Sequence, residues 1–201
     1  MPAVEPVTRQ PRPLSPRSTA LAYRGMTTIL LARHGETDWN RDGRFQGWAD
    51  PPLNATGRAQ ARALAAQLAG VPFDAVYSSD LRRAHETAVI VAEPHGVPVV
   101  ADPGLREIDV GSWSGLTRPE IEKRFPGVEH HDGETRAQHL ARVLATVERI
   151  ASAHSGERIL IVSHGGSLRT LRRHAAGDPV HPIENCGVYE LHFRDGAFSV
   201  D

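Results

Sequence analysis

Few features of this chain belong to secreted or membrane proteins. Its 201 residues include a single cysteine, Cys186, which excludes an internal disulfide and fits a reducing, cytoplasmic compartment. No apolar run approaches the roughly 18–20 residues that a membrane-spanning helix needs. Because the formal net charge is only −1, a nucleic-acid or membrane partner is not expected, and any strong positive potential must be confined to a site.

What the chain does have is the composition of one globular domain. Hydrophobic residues make up 40% of it and charged residues 23%, which suffices for a buried core. The first 25 residues differ, since they carry prolines and arginines without an apolar stretch. We therefore predict a disordered N-terminal tail over residues 1–25 and a single domain over residues 26–201.

Short apolar runs alternate with helical patterns along the rest of the chain. This alternation predicts an α/β fold, a three-layer sandwich whose mostly parallel central sheet is flanked by helices. Thr56 is expected to cap the first long helix, because threonine is a favourable N-cap residue. The predicted strands cover residues 28–32, 73–77, 97–100 and 159–162, followed by a hairpin at 188–193 and 198–200. The predicted helices cover residues 57–69, 81–92, 117–125, 134–153 and 167–176.

Polar residues directly follow three of the predicted strands. Arg33-His34-Gly35 ends the first strand, Ser78-Ser79-Asp80 ends the second and leads into an arginine pair, and Ser163-His164-Gly165-Gly166 ends the strongest one. In a parallel sheet these segments lie at one edge, where α/β proteins bind ligands. Arginines, histidines and a helix N-terminus at one edge predict a phosphate pocket, to which Glu107 adds a carboxylate.

These residue types support the transfer of a phosphoryl group. His34 can attack phosphorus through an unprotonated ring nitrogen, and neighbouring arginines disfavour its charged form. Arg33, Arg83 and His164 can hold the phosphoryl oxygens. Glu107 can protonate the leaving alkoxide and then activate water. The scheme requires no metal or other cofactor, and the glycine after His34 is expected to let the substrate approach the backbone.

One further segment, His130-His131-Asp132, carries residue types that bind metals. It lacks the paired-ligand spacing of a metalloprotease helix, and a single thiol is too few for a cysteine-based zinc site. A polar loop tip before the helix at 134–153 is the simpler interpretation.

Four motifs occur in order along the chain. Arg33-His34-Gly35-Glu36-Thr37 is followed by Ser78-Ser79-Asp80-Leu81-Arg82-Arg83-Ala84, by Leu105-Arg106-Glu107-Ile108 and by Ser163-His164-Gly165-Gly166. With this combination the chain resembles the histidine phosphatase superfamily, the group that includes cofactor-dependent phosphoglycerate mutase. The resemblance extends from about residue 28 to the C-terminal hairpin, and it implies a phosphoglycerate mutase-like fold.

The resemblance implies a role for each matching residue. His34 is the histidine that becomes phosphorylated, and Glu107 is the proton donor. Arg83 rather than Arg82 belongs to the phosphate pocket, because the family arginine directly precedes the alanine. Residues 43–48 resemble the family's substrate-covering loop. The other residues that the resemblance assigns are Arg33 and His164 in the phosphate pocket and Asn40, Gln46, Gly47 and Gly165 in substrate binding.

The predicted reaction is the hydrolysis of a small phosphorylated metabolite. Family mutases carry a longer insert between the acid and the second histidine, whereas here 56 residues (108–163) separate Glu107 from His164. A short cap leaves a phosphohistidine accessible to water, which favours a phosphatase. The alternatives are a phosphoglycerate mutase or another phosphotransferase and, from a different class, a catalytically silent regulatory module. Either a monomer or a homodimer is compatible with these features.

Overall fold

The computed structural model of the protein describes residues 25–177 and 182–200. The predicted tail over residues 1–25 lies outside the described residues, Gly25 excepted. The disorder of that tail and the domain boundary at residue 26 therefore stay predictions.

Six strands form one sheet, and four of them run parallel. The first, β1, pairs in parallel with β4, which pairs in parallel with β2, and β2 pairs in parallel with β3. The last two strands, β5 and β6, extend the sheet antiparallel beside β1 in the order β3-β2-β4-β1-β5-β6. The strands are β1 (Thr27–Arg33), β2 (Ala75–Ser78), β3 (Val99–Ala101), β4 (Arg158–Ser163), β5 (Val188–Arg194) and β6 (Ala197–Ser199).

Helices cover both faces of the sheet, so the predicted three-layer α/β architecture is confirmed. The α-helices are α1 (Asp38–Arg41), α2 (Ala55–Leu68), α3 (Arg82–Ala92), α4 (Arg118–Arg124), α5 (Arg136–Ala153) and α6 (Gly165–Ala176), with short 3₁₀ turns at Glu93–His95, Pro103–Leu105 and Gly111–Trp113. Alternate residues of β1 divide between the faces: Ile29 and Leu31 pack in the core with α5 and α6, whereas Leu30 and Ala32 pack with α2 and α3. A strand that is buried on both faces reads as a continuous apolar run.

Two helices begin earlier than predicted. Asn54, not Thr56, is the N-cap of α2, because its side-chain oxygen accepts a hydrogen bond from the backbone N–H of Gly57 at 2.8 Å. Helix α6 begins at Gly165 rather than at residue 167. The two glycines at its start are poor helix formers in isolation, and here a tertiary contact to the Gly166 N–H supports the first turn.

Gly35 is needed for packing between two backbone segments. A Cβ atom at Gly35 would lie 2.5 Å from the carbonyl oxygen of Gly57, and a Cβ atom at Gly57 would lie 2.1 Å from the carbonyl oxygen of Glu36. Neither site has room for a side chain. This glycine therefore lets the loop after β1 pack against α2, which differs from the expected approach of substrate to its backbone.

Candidate active site

The carboxyl ends of β1 and β4 bring two histidines together. In the parallel register Arg33 is the partner of Ser163, so the next residues along the chain, His34 and His164, are neighbours at the sheet edge. Their ring centroids lie 5.1 Å apart at an interplanar angle of 61°. Both side chains are buried, with 3% and 0% exposure.

Hydrogen bonding sets the tautomer of His34. Its Nδ1 lies 2.7 Å from the carbonyl oxygen of Gly35, which can only accept, so Nδ1 carries the proton of the neutral ring. Burial lowers the pKa of His34 well below its usual value, and the charges of Arg83 and Arg33 lower it further. The imidazole is therefore neutral at pH 7, and the Nε2 lone pair is available in the cavity that His34 lines.

The backbone around His34 is fixed by other parts of the chain. The Gly35 N–H donates to Thr87 Oγ1 at 3.0 Å, and the Asn185 side chain donates to the His34 carbonyl oxygen at 2.9 Å. The reactive side chain thus stands on a segment that is held by α3 and by the loop before β5.

Arg83 is more deeply buried than Arg33. It is 1% exposed, and its Nη1 and Nη2 donate to the carbonyl oxygens of Ala49 and Gly47 at 2.7 and 2.9 Å. Burial lowers its pKa to about 10, so it is still a cation at pH 7. The adjacent Arg82 is exposed, which agrees with the choice of Arg83.

Several buried nitrogen atoms at this point have no hydrogen-bond partner among the described residues. They are Nε of Arg33, Nε of Arg83 and both ring nitrogens of His164. Burial lowers the pKa of His164 well below its usual value, and the positive charge of Arg83 lowers it further, so this ring is also neutral. Unpaired buried donors are costly, and a phosphoryl group would satisfy them with its oxygens.

Glu107 reaches the same point from the loop after the 3₁₀ turn at Pro103–Leu105. Its Oε1 accepts the Ile108 N–H at 2.9 Å, and its Oε2 accepts the Gly166 N–H in the first turn of α6 at 2.8 Å. A Cβ atom at Gly166 would lie 2.2 Å from Glu107 Oε1, so a glycine is required for this contact.

The loop over residues 43–48 lines the site through residues 44–47, and its role as a substrate cover stays a prediction. Gly47 has a φ of +51°, and a Cβ atom there would lie 2.9 Å from the Val110 backbone nitrogen. Gln46 is buried, and its Oε1 has no partner among the described residues. The side chain of Asn40 caps α1 by accepting the Thr37 N–H, and it also lines the cavity.

One cavity of about 780 Å³ opens at this end of the sheet. Eight of the nine predicted site residues line it; the ninth, His164, does not, although its ring contacts that of His34. We call the five positions that are predicted to react or to bind phosphate the inner wall: Arg33, His34, Arg83, Glu107 and His164. The rest of the lining includes basic residues that the sequence had not assigned, and we call them the outer wall: Arg44, Arg118, His130, His131, Arg136 and Arg169.

The outer wall lies on α4, α5 and α6, in the loop before α5 and, for Arg44, in the loop over residues 43–48. Arg44 forms an ion pair with Glu120 at 2.9 Å, and the guanidinium of Arg118 lies 5.6 Å from the ring centroid of Phe45. The predicted polar loop tip at His130-His131-Asp132 is part of this side. Asp132 accepts the Ser112 N–H at 2.7 Å, and the two histidines face the cavity.

A second set of residues that sequence reasoning missed holds the segment that carries Glu107. Arg142 on α5 donates to the carbonyl oxygens of Gly104, Arg106 and Glu107 at 3.0–3.1 Å, and it forms an ion pair with Glu134 at 2.6 Å. These partners are up to 38 residues apart, so no local pattern points to them.

Two kinds of feature are absent from residues 25–177 and 182–200. In that range no group of three or more His, Cys, Asp or Glu side chains could hold a metal ion. None of the helices described there is long and apolar enough to cross a membrane.

Comparison with known proteins places the chain in a family. The first match is a metal-independent phosphoserine phosphatase from Arabidopsis thaliana, 37% identical over 191 residues, which cover 88% of this chain and 80% of that protein. Among solved structures, a mycobacterial glucosyl-3-phosphoglycerate phosphatase with VO3 aligns with a TM-score of 0.75 and 31% identity, over 82% of this chain and 90% of that one. A phosphoglycerate mutase from Bacillus anthracis aligns with a TM-score of 0.77 and 26% identity, over 90% and 94%.

The family model for the histidine phosphatase superfamily (branch 1) matches residues 29–201. This span contains all four motifs and every residue of the inner wall. The predicted resemblance is thereby confirmed: the chain belongs to the histidine phosphatase superfamily, branch 1.

Proposed function

We propose that the protein is an enzyme that hydrolyses phosphomonoesters of small metabolites through a phosphohistidine on His34. One observation carries the proposal: the Nε2 lone pair of a neutral, buried His34 faces a cavity beside unpartnered nitrogens of Arg33, Arg83 and His164. A nucleophile next to donors that lack acceptors suits an incoming phosphoryl group.

In the first step His34 Nε2 attacks phosphorus. A bond forms between Nε2 and phosphorus, and the bond from phosphorus to the ester oxygen breaks. Arg33, Arg83 and one N–H of His164 neutralise charge on the phosphoryl oxygens. Protonated Glu107 gives its proton to the leaving oxygen, so the product leaves as an alcohol.

In the second step water replaces the alcohol. Glu107, now a carboxylate, takes a proton from water while the water oxygen attacks phosphorus. The bond between Nε2 and phosphorus breaks, which releases inorganic phosphate and restores neutral His34. The chain's own residues supply every group in both steps, so we propose that the reaction is metal-independent and needs no cofactor.

The size of the cavity supports a metabolite substrate. About 780 Å³ is within the roughly 300–1,000 Å³ typical of small-molecule sites. The cations of the outer wall favour an ester with a further anionic group, and the phosphoserine and glucosyl-3-phosphoglycerate named for two relatives are esters of that kind. Asn40, Gln46, Gly47 and Gly165 are the proposed substrate contacts of the cavity wall.

Phosphoglycerate mutase activity is the second candidate. The structural similarity to a phosphoglycerate mutase favours it. The short segment between Glu107 and His164 favours water as the acceptor instead. Conversion of 3- to 2-phosphoglycerate in the presence of the bisphosphate, faster than phosphate release, would establish the mutase.

The test is phosphate release from p-nitrophenyl phosphate and a panel of phosphomonoesters, with and without EDTA. We expect activity that EDTA leaves unchanged, and acid-labile phosphate on the wild-type protein that is absent from His34→Ala. A silent wild type across the panel, or an active His34→Ala variant, would refute the proposal. Inhibition by EDTA would refute its metal independence.

We also propose that the protein works in the cytoplasm as a monomer or homodimer, without nucleic-acid or membrane partners. The low net charge and the lone cysteine support this. Burial raises the pKa of Cys186 to about 11, so it is held as a thiol. Size-exclusion chromatography with light scattering gives the oligomeric state.

A further inference from the structure

A buried histidine lies outside the proposed reaction. His139 is 2% exposed on α5, one turn before Val143, in the row of core residues that continues with Val147 and Ile150. Burying an imidazole in an apolar row costs free energy unless its polar atoms are used. The contacts of this ring therefore indicate its purpose.

His139, Ser167 and the Arg106 carbonyl group form a hydrogen-bonded series, and the carbonyl oxygen at its end sets the direction of each bond. Ser167 Oγ lies 3.0 Å from the Arg106 carbonyl oxygen, which can only accept, so the hydroxyl proton is donated there. His139 Nε2 lies 3.0 Å from the same Oγ. Because the hydroxyl already donates to Arg106, its oxygen accepts, and His139 Nε2 carries a proton.

This N–H faces the carboxyl group of the proposed acid. His139 Nε2 lies 3.9 Å from Glu107 Oε1, the oxygen that accepts the Ile108 N–H. The relay through Ser167 also ends on the peptide directly before Glu107. His139 thus contacts the acid's surroundings at both the side chain and the backbone.

Burial, more than the surrounding charges, keeps His139 neutral. Burial lowers its pKa, Arg142 and Arg169 act in the same direction, and Glu107 and Glu134 oppose them. These are the charged groups that face the ring from its own helix, from α6 and from the loop of the acid. A neutral imidazole 3.9 Å from Glu107 Oε1 limits the movement of the carboxyl group without fixing a full positive charge next to it.

We propose that His139 is a positioning residue for Glu107, which it holds through Ser167 and the Arg106 carbonyl group and by the packing of its ring beside the carboxyl group. The inference rests on the proposed function, since it takes Glu107 as the proton donor. It predicts that loss of His139 slows the hydrolysis of esters whose leaving group needs a proton more than the hydrolysis of esters whose leaving group does not.

The experiment compares kcat/KM for two esters, because this ratio reports only the steps up to alcohol release. One ester is p-nitrophenyl phosphate, whose leaving group hardly needs a proton. The other is the alkyl phosphate that wild type hydrolyses fastest. For His139→Val we expect kcat/KM to fall about tenfold with the alkyl ester and less than about twofold with p-nitrophenyl phosphate. The tenfold loss is a part of the roughly 10²–10⁴-fold contribution of general acid catalysis. His139→Gln keeps an N–H donor and should stay within about twofold of wild type for both.

Three further variants separate the explanations. Val143→Ala loosens the same helix face without touching the relay, and it should not change the ratio between the two esters. Ser167→Ala breaks the relay from α6 and should reproduce the selectivity of His139→Val, so the inference stays testable if the valine variant does not fold. Equal losses for both esters in His139→Val or in Ser167→Ala, or a selective loss in Val143→Ala, would overturn it. Glu107→Gln is the reference variant. If it does not lose activity selectively with the alkyl ester, the proposed acid role of Glu107 is wrong. If it does, but His139→Val and Ser167→Ala do not, only the positioning role of His139 is wrong.

Discussion

The inner and outer walls of the cavity are built in different ways. The inner wall gathers at the ends of β1 and β4, where Arg83 joins it from α3 and Glu107 from a loop. Its arginines donate to backbone carbonyl groups: the buried Arg83 to Gly47 and Ala49, and the half-buried Arg33 to Ile183. The outer wall stands on helices and loops, and Arg118, Arg136 and Arg169 are exposed. Buried charges in a fixed geometry act strongly on a reacting group, whereas exposed cations are screened by water. We therefore propose that the inner wall carries out phosphoryl transfer and that the outer wall determines which ester binds.

The strongest test of this division is Arg83→Ala. We expect kcat/KM for p-nitrophenyl phosphate to fall about 10²–10³-fold, because the variant loses a preorganised donor to the transition state. Inhibition by vanadate, which resembles the transferring phosphoryl group, should be lost in parallel. The matched control is Arg82→Ala, which removes the exposed neighbour on the same helix turn and should stay within about twofold of wild type. Similar losses in the two variants would contradict the assignment of Arg83.

A smaller effect concerns stability against pH. His34 is neutral in the folded protein because burial, Arg83 and Arg33 lower its pKa, whereas the unfolded chain titrates near the ordinary value of about 6.5. Below that pH the unfolded state binds a proton that the folded state does not, so the free energy of unfolding falls as the pH falls. Its contribution is roughly 1.4 kcal/mol per pH unit.

Urea unfolding at pH 7, 6 and 5 measures this effect. The slope of unfolding free energy against pH should be shallower in His34→Asn than in wild type. Arg136→Ala, a change in the outer wall that does not titrate in this range, should keep the wild-type slope. Parallel slopes for wild type and His34→Asn would mean that the inner wall does not hold this histidine neutral.

The smallest expected effect is in the outer wall. Arg136 opens α5, is exposed and lines the cavity. Arg136→Ala should raise KM about two- to fivefold for an ester with a second anionic group and leave p-nitrophenyl phosphate unchanged, because an exposed charge contributes at most about 1 kcal/mol. Arg62→Ala, an exposed arginine on α2 outside the cavity, is the control. A fall in kcat for both esters would erase the distinction between the two walls.

The sequence predicted the inner wall well for a local reason. His34 and His164 directly follow apolar runs, and in a parallel sheet the residues after strands share one edge. The choice of Arg83 over Arg82 followed from the motif, and the burial of Arg83 agrees with it. The position of these residues at one edge of the sheet could therefore be predicted without coordinates, and their chemical roles are proposals.

The errors at the sequence level concern competing local signals. Asn54 and Thr56 are both good N-cap residues two positions apart, and only the hydrogen bond to Gly57 decides between them. Helix α6 starts at a glycine pair that propensity argues against, because the Glu107 carboxylate binds the Gly166 N–H. In the second case a contact between distant residues overrides a local preference.

The α/β class, the sheet edge at which the proposed site lies and the residue types suited to phosphoryl transfer could all be predicted from the sequence alone. Those properties depend on short apolar runs and on what directly follows them. The tautomer of His34, the hydrogen bonds from Arg142 to the segment that carries Glu107 and the position of His139 beside the Glu107 carboxyl group are set by tertiary contacts. Each of these depends on an atom whose partner is set by folding, such as a carbonyl group that can only accept, and no pattern of residue types along the chain specifies such a partner.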